Sequence, residues 1–276
     1  MKLKLVIAVL VFLTTPFFMN AQETEKKDKK IKAVYFHWGY NRSAYTKADI
    51  KIKGDNEDII IRDAYAKDSP SPFDASVYLN PLKFTIPQFD FRVGAELQNG
   101  YYVSFGWDHM KYVLQPGNYF VEGEITEPTA TPKYIRSYND TIFIDDNFLH
   151  LEHTDGLNYI HFSIDKVIYK KAFWKERLIF ELPIEYGFGI STPWTDSEFV
   201  GRFYRNPSIR LAGVATNIGI KPRLYLYKEL LFFQTNLRAG YVNMWNVKIH
   251  DEVRAKQNFG YVERAFVFGM KFNLKD

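Results

Sequence analysis

No cysteine occurs in the 276 residues. That excludes disulfides, thiolate chemistry and a lipid anchor on cysteine. Beyond the first 20 or so residues there is no apolar run of about 18 residues, which excludes a transmembrane helix. Charge of one sign is also lacking. The first 21 residues hold two lysines and no acid, so the remainder carries 34 basic against 32 acidic residues. A chain so balanced has no nucleic-acid footprint. No carboxylate spacing matches a Ca²⁺ loop, so Asp145, Asp146, Glu152 and Asp155 read as solvated acids. No metal or cofactor is expected.

What remains is a leader and a large excess of aromatics. Lys2 and Lys4 precede an apolar run from Leu5 to Phe18 that closes on Met19-Asn20-Ala21. This is the pattern of a secretory signal peptide over residues 1–21, set aside from fold reasoning. The mixed-charge ETEKKDKK that follows makes residues 22–31 a disordered tether. Residues 32–276 form one domain on this reading. Export without disulfides suits a bacterial envelope. The chain has 24 Phe, 19 Tyr and 5 Trp, and they recur with period 2.

Alternation of that kind marks strands with two unlike faces. Val34, Phe36, Trp38 and Tyr40 share one face, with His37, Gly39 and Asn41 on the other. Phe89, Phe91, Val93, Ala95 and Leu97 oppose Asp90, Arg92, Gly94 and Glu96. Similar runs cover 102–107, 159–168, 178–190, 231–241 and 266–274, and 209–227 is less regular. Short connections (Gln98-Asn99-Gly100, a basic turn near Lys170 to Lys175, Lys228-Glu229) alternate with long ones (46–83, 115–156, 192–208, 246–258). Asn99-Gly100 suits a type I′ hairpin. Eight strands with such loops predict an all-β, antiparallel, up-and-down transmembrane barrel. The signal, the aromatic faces, the loop asymmetry and the terminal FVFGMKFNL resemble the OmpA/OmpX-type outer-membrane barrels. That resemblance implies a bacterial outer-membrane location and contact with lipid or lipopolysaccharide, with another outer-membrane protein as a further partner. If 46–66 and 118–152 also crossed the membrane, the barrel would have twelve strands. A soluble lipocalin-like carrier would show the same alternation with its apolar face turned inward.

An eight-stranded lumen holds side chains, not a channel. The inward residues Asp90, Arg92, Glu96, Asp108, His161, Glu181, Glu185 and Arg238 therefore predict a paired polar network, since buried charge needs partners. The segment YYVSFGWDHMKYVLQ (101–115) adds a second candidate site. Its alternation turns His109 and Lys111 outward at the extracellular rim, where Lys111 would meet lipid phosphate. If pairing continues through the second long loop, Glu152 and Thr154 approach His109. A His, a hydroxyl and a carboxylate are the parts of acyl hydrolysis. This set is similar in kind to the lipid A deacylases, barrels that use a rim His, Ser and Glu. The position two after His109 is Lys111, not a hydroxyl. The reading preferred from sequence is a non-catalytic barrel for structure, surface recognition or service beside a larger complex. An outer-leaflet lipid A hydrolase or acyltransferase is the alternative.

Overall fold

The computed structural model describes residues 31–78, 83, 86–126, 131–206 and 210–274. The signal and all but the last residue of the tether lie outside the described residues. From the short-turn end, β1 (Ile31–Tyr45) rises, and β2 (Ala48–Lys53), β3 (Glu57–Ala64) and β4 (Ala66–Lys67) stand above it. After the short helix α1 (Ala75–Tyr78), β5 (Phe89–Leu97) descends and β6 (Tyr101–Met110) rises. Next come β7 (Val113–Leu114), β8 (Gly117–Ile125), β9 (Arg136–Ile144), helix α2 (Asp146–Leu149) and β10 (His150–Glu152), all beyond the wall. β11 (Leu157–Phe173) descends and β12 (Leu178–Ser191) rises to β13 (Thr195–Phe199) and β14 (Arg202–Asn206). β15 (Gly213–Ile220) and β16 (Arg223–Leu226) descend as one interrupted strand, β17 (Leu231–Lys248) rises, and β18 (Arg254–Asn273) descends.

Antiparallel pairing closes a ring, β1–β5–β6–β11–β12–β15/β16–β17–β18 and back to β1. The register can be followed once around it: Val34, Ala95, Val103, Ile164, Tyr186, Ile218, Ala239, Val262. It returns to β1 at Ala44, ten residues above Val34. A stagger of ten over eight strands tilts the strands and closes the sheet without an edge. In lipid that closure is obligatory, because an open edge would leave backbone groups unpaired.

The faces sort as the alternation predicts. Large apolar side chains stand outward without cover, Phe162 at 72 % and Phe266 at 66 % exposure among them. The opposite face is buried and charged. An apolar wall around a charged interior is a membrane-spanning barrel. A soluble carrier needs the reverse, so that alternative fails. The twelve-strand alternative fails too. Residues 46–66 and 118–144 form strands, but they pair with the extension of β18 above the ring and do not enter it.

One turn agrees with the sequence reading, and two other places in the wall depart from it. Asn99 (φ 57°) and Gly100 (φ 72°) take the left-handed pair that an I′-like hairpin needs. The basic turn lies later than expected: β11 continues to Phe173, and Trp174, Lys175 and Glu176 take φ of 48°, 54° and 65°. Residues 209–227 read irregularly because Pro183 on β12 and Pro222 between β15 and β16 sit at one level of the wall. Paired residues flank them, Ile184↔Ile220 above and Glu181↔Arg223 below. A proline cannot donate to a ladder, so the pairing breaks there.

Above the ring the long connections fold. β18, β2, β3, β8 and β9 continue the wall upward as one sheet. β14, β13, β10, β7 and β4 form a second. Ile50, Ile52, Ile59, Ile61 and Val121 from the first and Ala66, Leu114, Leu151 and Phe199 from the second belong to one buried apolar cluster. The two crown sheets therefore share a core, which runs on into the ring through Tyr45, Tyr159 and Tyr261.

Candidate functional site

The interior is filled in layers, each built by several strands. At the short-turn end, Arg223 lies among Tyr35, Tyr102, Tyr225 and Phe232, its guanidinium carbon 4.9–5.6 Å from the four ring centres. This stacking partly replaces the water a buried guanidinium loses. Arg223 Nη1 also donates to Tyr225 Oη at 2.8 Å. Tyr102 donates to Glu181 at 3.1 Å, and Lys170 reaches Glu181 at 2.9 Å.

The middle layer centres on Arg238. Its Nε donates to Glu185 at 2.7 Å, Nη2 to Asp90 at 2.8 Å, and Nη1 to Glu263 at 2.7 Å and Asp108 at 3.3 Å. Arg92 clasps Asp108 with two bonds of 2.7 and 3.0 Å. His37 Nε2 meets Asp90 at 2.9 Å, and His161 Nε2 meets Asp108 at 3.2 Å. Lys221 donates to both oxygens of Asp165 at 3.0 Å. All these side chains are buried. Each charge is expensive alone and tolerable only with a partner. The structure thus gathers Asp90, Arg92, Asp108, His161, Glu185 and Arg238 into one network. Glu181 belongs to the layer below. Glu96 sits at its rim and accepts from Lys271 at 2.8 Å. Sequence reasoning missed Lys221 and Arg223, which lie in the irregular stretch, and did not single out Tyr102.

The top is sealed by apolar contact. Tyr45, Tyr112 and Phe259 pack with ring centres 4.9–5.5 Å apart. The crown core continues directly above them.

The rim candidates are placed differently from the expectation. His109 keeps its outward parity but is buried, its ring stacked on Phe89 at 5.0 Å. Its Nδ1 lies 3.0 Å from Asn158 Oδ1, which also accepts from Trp107 at 2.8 Å. An amide oxygen only accepts, so Nδ1 carries the proton. Nε2 has no partner among the described residues. Lys111 is also buried, and its Nζ donates to Ser71 Oγ at 3.0 Å. Neither lies open to head groups, because the chain between β4 and β5 and the β10–β11 turn cover them.

Glu152 and Thr154 bond each other at 2.9 Å, not His109. Glu152 also faces His150 Nε2 at 3.4 Å, while Asp146 takes His150 Nδ1 at 3.0 Å. Hydrogen bonds to Glu152 and Asp146 raise His150 to about 9, and the same His150 bond lowers Glu152. A histidine charged at neutral pH is no general base. The set His109, Glu152 and Thr154 is therefore not assembled. The remaining acids are also engaged: Asp145 caps α2 through Phe148 N at 2.9 Å, and Asp155 takes Arg205 at 2.6 Å.

No protein-family model matches this chain, and no curated protein matches it. Solved structures do. The likeness is to bacterial outer-membrane barrels. Ail, the attachment invasion locus protein of Yersinia pestis, is 11 % identical over 88 % of this chain and 99 % of its own, with a TM-score of 0.31. The outer membrane protein OprG from Pseudomonas aeruginosa is 10 % identical over 88 % and 98 %, at 0.37. The outer membrane protease OmpT from Escherichia coli is 11 % identical over 91 % and 99 %, at 0.35. At these scores the likenesses carry no argument of their own. Ring closure, stagger and wall polarity carry the fold.

Proposed function

We propose that this chain is an integral protein of a Gram-negative outer membrane, exported by residues 1–21, whose barrel anchors a folded, non-catalytic recognition head. The observation that carries this reading is the crown. Its two sheets share a buried core that the barrel does not need for closure. A barrel serving only as envelope scaffold requires short loops; here the chain invests most of its long connections in a second packed structure. Rigid scaffolds that hold connecting segments in place are where binding surfaces are built.

The filled lumen supports the same reading, since neither the Arg238 network nor the Arg223 layer leaves a path for solutes. The hydroxyl, carboxylate and imidazole named from the sequence are occupied separately, which favours recognition over acyl transfer. Recognition of a surface partner, protein or glycan, would use the crown's outer face, where Phe120 and Phe143 stand exposed on β8 and β9.

Two measurements test this together. Protease added to intact cells is expected to cut the crown and leave a protected barrel fragment; full protection would place the crown elsewhere. Mass spectra of lipid A from a deletion strain and its parent are expected to coincide. A lost or gained acyl chain would replace the recognition reading by the hydrolase or acyltransferase.

A further inference from the structure

On the outer wall of the barrel, Arg42 of β1 and Arg264 of β18 stand directly opposite each other in the register. Both share the outward parity of Tyr40 and Phe266, one step above them along the strands. Like charges at a cross-strand pair repel, and their Cβ atoms are only about 5 Å apart. Something must offset that repulsion in a wall otherwise facing hydrocarbon.

The protein supplies it only in part, through the charge of Asp68, which acts on Arg42 without a direct ion pair. Arg42 donates to neutral acceptors: Asn41 O at 2.6 Å, Gln88 Oε1 at 3.5 Å and Tyr78 Oη at 3.3 Å. The Arg264 side chain has no hydrogen-bond or ion-pair partner among the described residues. The carboxylate of Asp68, on the neighbouring connection, is taken by Ser43 N at 3.0 Å and Gln88 Nε2 at 2.5 Å. Glu263, next in sequence to Arg264, points inward to Arg238.

Beside the pair the wall is hollowed. A groove of about 770 Å³ has both arginines at its border and Ile184, Ile218, Ile220, Leu237 and Val262 along its sides. Leu237, Ile220 and Ile184 continue the register row from Arg264 across β17, β15 and β12. The small outward side chain of Ala239 leaves room for the groove. Charge at one border and aliphatic surface along the sides is the complement of a lipid with an anionic head.

We infer that Arg42 and Arg264 clamp the phosphate of a phosphorylated lipid in the outer leaflet, with an acyl chain lying along the groove. The height fits. On β1, Val34, Phe36, Trp38 and Tyr40 lie below Arg42, and on β18, Phe272, Phe268 and Phe266 lie below Arg264. The pair thus stands at the extracellular end of the apolar band, where head groups begin. Guanidinium forks match phosphate oxygens in bidentate geometry, and two forks suit one or two phosphates. Long arginine stems lie along apolar wall while the heads reach the polar layer. This assignment replaces the expectation that Lys111 and His109 meet the head groups.

Native mass spectrometry of the full protein in mild detergent tests the inference. The probes are diphosphoryl lipid A and the same lipid after enzymatic dephosphorylation. The wild type is expected to retain one diphosphoryl lipid and at least ten-fold less of the dephosphorylated form. Arg42→Gln with Arg264→Gln is expected to lower diphosphoryl retention at least ten-fold, to the level of the dephosphorylated lipid. Lys51→Gln with Lys53→Gln removes two cations from the crown and is expected to change nothing. Circular dichroism melting confirms that each variant is folded. Equal retention by the arginine double variant overturns the clamp, as does an equal loss in the lysine control, which would mean bulk charge. Displacement of the lipid by millimolar inorganic phosphate would make the pair a free-anion site and overturn the lipid assignment.

Discussion

Arg202 on β14 places Nη2 2.6 Å from Oε1 of Glu57, the first residue of β3, and so ties the second crown sheet to the first. Glu57 is buried, and a carboxylate there has no water to fall back on. Removing one partner of a buried pair costs about 3–5 kcal/mol. Arg202→Met should therefore loosen the crown by roughly that order, seen as faster amide exchange in β2, β3, β13 and β14. The barrel strands should exchange at the wild-type rate. Uniform loosening of barrel and crown would show that the two are one cooperative unit.

Arg238 answers to four carboxylates on β5, β6, β12 and β18. Arg238→Leu leaves them facing one another, and the loss should exceed ~3–5 kcal/mol because several charges are orphaned at once. Urea unfolding in detergent should show no folded barrel, or a midpoint far below the wild type. A near-neutral result would mean the lumen admits enough water to solvate the acids.

His150 gives the crown a pH window. Its value is raised to about 9, mainly by the hydrogen bond to Glu152. A raised histidine stabilises fully below its ordinary value near 6.5 and loses that contribution as pH rises through about 9. With the side chain 27 % exposed, screening trims the gain to about 1–2 kcal/mol. Crown protection factors, which are exchange rates corrected for the intrinsic base-catalysed rise, should fall between about pH 7 and about 10, and His150→Gln should remove that slope. An unchanged slope in the variant would assign it to another group.

Gly156 takes φ 133°, and a Cβ there would lie 2.6 Å from His109 Cε1. Gly156→Ala should destabilise by about 1–3 kcal/mol from the backbone alone, plus the clash. Adding His109→Ala should recover the part of the clash made with the ring, and leave the contact with Asn158 Nδ2 at 2.7 Å and the backbone cost, so the two changes are coupled. Additive melting losses in the double variant would show that the ring moves aside freely.

A lumen packed by the Arg238 and Arg223 layers should not conduct. Planar bilayers containing the pure protein should show no unitary current steps in molar salt. Regular steps would require an opening through both layers.

The sequence by itself determined the wall. Period 2 is imposed by strand geometry, and burying one face beside lipid forces Phe36, Phe105, Phe162 and Phe266 to one side and Arg92, Asp108 and Glu185 to the other. The closing ring followed because loops alternated in length and no edge is tolerated in hydrocarbon. Three things only the tertiary structure decided. Alternation says which residues point inward, not which meet, so the choice of Arg238 as the hub depends on the stagger of ten residues around the ring. Parity put His109 on the outer face, but burial there is set by chain segments distant in sequence, Phe89 and Gly156, that lie over it. The crown was legible only as separate apolar runs. Its core exists because Ile59 and Phe199, 140 positions apart, are brought into one cluster, and no local pattern records a contact of that range.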